Sequence, residues 1–264
     1  MQCGRPLRQH REPSFPCWPL LGVSPRVEIV RLTSQRSGNA PSYPSPLESQ
    51  TPASASAQRT KRSLADASKL WPAGVITISL DLRDQKSTAL VLDALREWAH
   101  NTPALQFRVV RGRKGDIRIS DDAGLKGNWS MLGTDAKKVA LNKPTMHLDR
   151  NDDSKTFRAV VLHELGHALG LLHEHQNPEH DINWNKEAVY KAYTGGDISK
   201  ELVYSQILEL PVGEELLVTS YDRESVMHYE VSDDLTDDAR GVEANNWLSD
   251  GDKAIARKLY SLTR

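Results

Sequence analysis

The stretch HELGHALGLLHE, residues 163–174, sets three histidines and two glutamates in an otherwise apolar run. Imidazole nitrogens and carboxylates bind metal ions and move protons near neutral pH. His163 and His167 are four residues apart. On an α-helix that spacing turns them by about 40° and separates them by about 6 Å along the axis, so both face one side. Both can then reach one ion at roughly 2.0–2.1 Å. His173 lies ten positions past His163. In a continued helix it would sit about 15 Å further along and could not share that ion. The chain must turn between them, and Gly170 stands where the turn is needed. Glycine takes the left-handed, helix-ending conformation at little steric cost.

Three neutral imidazoles leave at least one position open on a four- or five-coordinate ion, which is the catalytic pattern. The donor set suits zinc better than calcium or magnesium, which prefer oxygen. The only cysteines, Cys3 and Cys17, lie far upstream, so no closed thiolate site is available. Glu164 adjoins the first ligand. From there it can serve as general base toward a zinc-activated water and pass the proton to a leaving amine. Taken singly, each feature has a bland explanation: a histidine pair on a helix surface, an ordinary helix-stopping glycine, a surface glutamate. The whole pattern is what carries the metal reading.

The elements that must hold this site can be read from periodicity. In VITISLDL, Ile76, Ile78, Leu80 and Leu82 share one face and Thr77, Ser79 and Asp81 the other, the period of a half-buried strand. STALVLDALREWAHNTP follows as a helix, with Val91, Leu95 and Trp98 at helical spacing and Pro103 as its stop. LQFRVV and DIRIS read as strands, and NWSMLG and PTMHLD as weaker ones. A long helix opens near Asp153 or Ser154 and runs through the zinc motif. The chain then continues mainly as helix and loop. LSDGDKAIARKLY closes it as a helix with Ser249 as N-cap. Five strands and these helices imply an α+β domain of about 200 residues.

That domain occupies 63–264. Residues 1–62 carry nine Lys or Arg and three Glu, leaving 25 basic and 32 acidic residues in 63–264. The folded part is therefore acidic, which argues against nucleic acid as a partner. No apolar run is long enough to span a membrane. Residues 32–60 are rich in Ser, Pro, Gln, Thr and Ala, and ordering them would cost entropy with little burial in return. Residues 1–62 are expected to be a mostly disordered basic segment. It ends in RTKR, Arg59 to Arg62, which is either a solvated linker or a dibasic cleavage site. The FPCWPLLGV stretch is short for a signal-peptide core and is broken by Pro16 and Pro19.

HELGHALGLLHE resembles the extended zinc motif HExxHxxGxxH of the metzincin metalloproteases. Glu174, directly after the third histidine, is similar to the astacin branch. SVMHY, Ser225 to Tyr229, resembles the methionine-containing turn of that clan. LWPAGVITISLD and LSDGDKAIARKLY are similar to the opening strand and C-terminal helix of astacin-like domains, so the resemblance covers about 63–264. It implies a twisted five-stranded mixed sheet, an active-site helix, a Met-turn and a C-terminal helix. It implies His163, His167 and His173 as ligands of one catalytic zinc, with Met227 packed beneath them. Tyr229 is implied as an additional ligand that swings to hydrogen-bond the developing oxyanion. The substrate would be a protein or peptide bound in extended form by strand addition along Trp129 to Leu132. His175, His180 and His228 are read as structural or exposed, not as ligands. The disulfides of animal astacins are absent, which favours a microbial-type relative; the family also favours secretion.

Two regulatory expectations follow from the resemblance. Cleavage after Arg62 would leave Ser63 eight residues before Trp71, close to the spacing in mature astacins. The new Ser63 amine would then approach Glu174. QCGRP around Cys3 faintly resembles the cysteine switch of matrixins, in which a thiolate caps zinc. The rival readings are a non-catalytic zinc- or peptide-binding module on the same fold and a matrixin-like peptidase.

Overall fold

The computed structural model describes residues 64–149, 153–194, 198–213 and 215–262. The N-terminal segment 1–62, its RTKR run, Ser63, Cys3 and Cys17 lie outside the described residues.

The chain begins with a short strand β1 (Ala65–Asp66) and a 3₁₀ turn, then enters strand β2 (Gly74–Asp81). Ile76 and Ile78 are buried as their alternation requires, and Leu80 is half-buried. Leu82 falls one residue beyond the strand. Ser79, on the other face, is also buried, so the strand is covered more fully than a half-buried pattern implies. Helix α1 (Gln85–Asn101) is capped by Asp84, whose carboxylate accepts from the Ser87 N–H. Val91, Leu95 and Trp98 form its buried stripe.

Strands β3 (Leu105–Val110), β4 (Ile117–Ser120), β5 (Trp129–Ser130) and β6 (Met146–His147) complete a mixed sheet of order β3-β2-β4-β6-β5. β2, β3, β4 and β6 are parallel, and β5 runs antiparallel at the edge beside β6. The two weak strands pair over two residues each. Arg118, the register partner of Ser79 on β4, explains the extra cover on the sheet. Buried on β4, its guanidinium donates to the carbonyls of Gly115, Val139 and Lys143. The bonds to Val139 and Lys143 fasten the segment before β6 to the sheet, and all three satisfy a cation that would be costly to bury unpaired.

Helix α2 (Ser154–Ala168) is the long helix expected from Asp153 onward, with Asp153 as N-cap. It packs on α1, and the Trp98 indole N–H donates to the Leu162 carbonyl at 3.0 Å. The last carbonyls of a helix have no partner within it. Here Trp71 Nε1 donates to Ala168 O at 2.7 Å, and the Tyr260 hydroxyl donates to Leu169 O at 2.7 Å. Helices α3 (Lys186–Tyr193) and α4 (Lys200–Val203) follow, with strand β7 (Leu216–Leu217) pairing back onto β1. This region has its own core, including Ile182, Val189, Val203, Ile207 and Val231. Helix α5 (Asp250–Leu259) closes the fold with a capping box between Ser249 and Asp252. The architecture is α+β.

Candidate metal centre

One helix face places only two of the three ligands, so the end of α2 decides the geometry. Gly170 has φ +91°, a conformation that side chains with a Cβ rarely adopt. Its N–H donates to His167 O at 2.8 Å, and the Leu171 N–H donates to Gly166 O at 3.0 Å. These are the paired bonds of a Schellman ending. The chain reverses there, as the glycine required, and His173 comes back to the helix.

His163, His167 and His173 are buried, and their ligand atoms all lie within 4.8 Å of one another. His167 Nε2 stands 3.1 Å from His163 Nε2 and 3.0 Å from His173 Nε2. For His163 and His167 the opposite nitrogens settle which atom carries the proton. His163 Nδ1 is 2.8 Å from Val226 O, and His167 Nδ1 is 2.8 Å from Leu171 O. A carbonyl only accepts, so each Nδ1 carries the proton and each Nε2 presents a lone pair inward. Burial pushes His163 down to about 4. Burial, then the nearby His163, pushes His167 down to about 3. Burial, then its histidine neighbours, depresses His173 as well. Three buried neutral imidazoles whose Nε2 atoms converge this closely form a ready set of donors for one cation. Nitrogens at roughly 2.0–2.1 Å from a tetrahedral ion would be about 3.3 Å apart, close to the spacing here. The cluster can hold one zinc ion.

Glu164 is fully buried one residue after His163. The turn Ser225–Tyr229 is closed by the His228 N–H donating to Ser225 O at 3.1 Å. It meets the metal loop through the Glu174 N–H, which donates to Met227 O at 3.0 Å. Met227 is fully buried against Gly166, and Tyr229 lies with its ring centroid 4.2 Å from that of His173. Of the residues singled out on the sequence, His163, His167, His173 and Tyr229 are thus brought together, and Glu164 is buried next to His163 in the chain. His175, His180 and His228 stay outside the triad. His175 is buried and stacked on Tyr229 at 4.4 Å, whereas His180 is half-exposed.

Three supports have no local signal in the sequence. Asp252, on α5, accepts from Ser225 Oγ at 2.6 Å and from the Val226 N–H at 2.8 Å, so the last helix fixes the turn. The capping-box pattern Ser249–Asp252 signals the helix, not this second duty. Gly166 gives the Met227 side chain its space, and nothing in the neighbouring residues says so. Trp71 seals the end of α2.

Residues 63–241 match the peptidase family Astacin. Rat meprin A subunit alpha is 26% identical over 183 residues, covering 65% of this chain and 20% of that protein. The mouse astacin-like metalloendopeptidase is 28% identical over 178 residues, covering 64% and 35%. The solved structure of myroilysin superposes with a TM-score of 0.70 at 32% identity, covering 76% of this chain and 100% of that one. The chain spans 20% to 35% of the length of the first curated relatives it matches. These matches favour neither rival reading. The family match extends from the first described strand through the metal centre and the methionine turn, and on that ground the chain belongs to the astacin family of zinc peptidases.

Proposed function

We propose that this chain is a zinc metalloendopeptidase that hydrolyses peptide bonds in proteins. The observation that carries the reading is the convergence of three buried histidine Nε2 atoms, with a buried glutamate next to the first in the chain. His163, His167 and His173 would hold the metal. When bound, zinc supplies Lewis acidity to a water and to the scissile carbonyl. The chain's own groups do the rest. Glu164 takes a proton from the attacking water and delivers it to the leaving amine. Tyr229 donates its phenolic proton to the oxygen that becomes negative in the transition state. Substrate lies extended along β5, the sheet edge. Of Trp129 to Leu132, only Trp129 is half-exposed, and Ser130, Met131 and Leu132 are buried. Main-chain bonding and the Trp129 ring therefore supply the contact. Hydrolysis of a fluorogenic peptide library by the mature chain should stop with a chelator and return with zinc. Full hydrolysis in the metal-free chain would overturn the reading.

Residues 63–264 form the catalytic domain in this proposal, and 1–62 a pro-segment released after Arg62. Leu64 and Ala65 are fully buried, and Leu64 O accepts from the Leu172 N–H at 2.9 Å. The residues just past the cut are thereby pinned beside the metal loop. Burial drives the Glu174 carboxyl up to about 9, and its Oε2 accepts no hydrogen bond from the described residues. A freed Ser63 amine would supply a partner of the right charge. Mass spectrometry of the mature N-terminus should find Ser63. An active protein beginning far upstream would contradict this.

A further inference from the structure

Tyr229 is the last residue of the methionine turn, and two side chains outside the zinc triad converge there. His228 Nδ1 lies 2.6 Å from the Tyr229 carbonyl oxygen. His228 Nε2 lies 2.6 Å from the Tyr221 hydroxyl. The carbonyl has no proton to give, so Nδ1 must be the donor. In a neutral imidazole Nε2 is then the acceptor, and the Tyr221 O–H donates to it. The carbonyl thus sets the tautomer, and the hydroxyl, donating from the far side, holds the imidazole in the one orientation that grips Tyr229. Without it, the Nε2 end of the ring loses this anchor and the ring can turn away from the carbonyl. His228 is buried and Tyr221 half-buried, so water does not readily replace either bond. The Tyr229 ring meanwhile lies nearly parallel to the buried His175, with centroids 4.4 Å apart and planes inclined by 19°. Ring and backbone are therefore held by different groups.

We propose that Tyr221 and His228 are positioning residues that act through Tyr229, Tyr221 fixing the orientation of the His228 ring and His228 fixing the backbone from which the Tyr229 phenol projects. The proposal rests on the oxyanion role read for Tyr229. Neither residue is a metal ligand, and neither needs to touch the substrate. Each acts by narrowing where the Tyr229 hydroxyl can go, because placement of a donor at the developing charge is what gives it catalytic value.

The clean perturbation is Tyr221→Phe, which deletes one oxygen and keeps the ring. Three readouts apply to the active, zinc-loaded chain and its Tyr229→Phe and double variants. Steady-state kinetics on a fluorogenic peptide should show kcat lowered about three- to tenfold by Tyr221→Phe with KM unchanged. Tyr229→Phe alone should lower kcat by about 10²–10³. In that background Tyr221→Phe should have no further effect on kcat, since the group it positions is gone. Spectra of chain labelled with ¹⁵N-histidine should assign the His228 proton to Nδ1 in the parent, with Nε2 accepting a hydrogen bond that is lost in Tyr221→Phe. A drop in thermal stability alone, with kcat unchanged, would make the pair merely structural and overturn the proposal. So would an equal kcat loss in the Tyr229→Phe background, or a rise in KM alone, which would mark Tyr221 as a substrate contact. An undiminished kcat in Tyr229→Phe would instead remove the oxyanion role and the proposal with it.

Discussion

Replacing Gly166 by alanine isolates the contact between the zinc helix and the methionine turn. A Cβ at position 166 would lie 2.3 Å from Met227 Sδ, 3.1 Å from its Cε and 3.4 Å from Trp98 Cζ2. Non-bonded atoms of this kind prefer about 3.5–4.0 Å. Met227 is fully buried and has no solvent to swing into. Overpacking of a filled core costs about 1–3 kcal/mol. Alanine in a helix interior returns about 0.5–1 kcal/mol relative to glycine. The net is a loss of about 0.5–2 kcal/mol, or roughly 1–8 °C in Tm for a domain of this size. The displaced turn also carries Val226 O, which orients His163, so zinc should bind about 10–100-fold more weakly. Thermal melts and competitive zinc titration measure both. In a Met227→Ala background, itself destabilised by about 2–5 kcal/mol, the obstacle is gone and Gly166→Ala should be neutral or stabilising. An unchanged or raised Tm in the parent background would refute the packing argument.

Two further predictions concern the metal loop. Gly170→Ala must hold φ +91° with a Cβ that would meet Leu70 Cδ2 at 3.0 Å; it should cost about 1–2 kcal/mol in chemical denaturation and weaken zinc binding. A loss confined to stability, with zinc affinity intact, would mean the turn does not set His173. The metal-free chain should lose stability as pH falls below about 6.5. His163 and His167 are held down at about 4 and about 3, so the unfolded chain takes up protons that the folded chain refuses. One unit below 6.5, each contributes a loss of about 1.4 kcal/mol. Glu174 and Asp252, which burial pushes up to about 9 and about 6, work in the opposite sense. Calorimetry at pH 7.5 and 5.5, with the triad replaced in a control, reads the histidine share.

The metal centre was legible because its chemistry is local. Two ligands sit on one helix face, and the glycine that returns the third is three residues past the second. The β2 face and the stripe on α1 were legible for the same reason, since periodicity records burial. The methionine turn was found only through resemblance: nothing in SVMHY by itself says that Met227 meets Gly166. The closure of α2 by Trp71 and Tyr260, and the fastening of the sheet by Arg118, are long-range hydrogen bonds that periodicity cannot encode. The weak strands shrank to two residues each because pairing beyond Trp129–Ser130 gives way to a 3₁₀ turn at Gly133. The helices within 176–224 pack on a small separate core, whose partners Val231, Leu235 and Val242 come from after the methionine turn.

In the proposed mechanism a buried glutamate next to a three-histidine zinc site serves as the base for peptide hydrolysis. Turnover of a fluorogenic peptide by zinc-loaded Glu164→Gln tests it most directly, because the amide preserves size and leaves the three ligands in place while removing the base. The variant should hold one zinc per chain and lose at least about 10²–10⁴ in kcat. Undiminished turnover by a variant carrying its full zinc would contradict that mechanism.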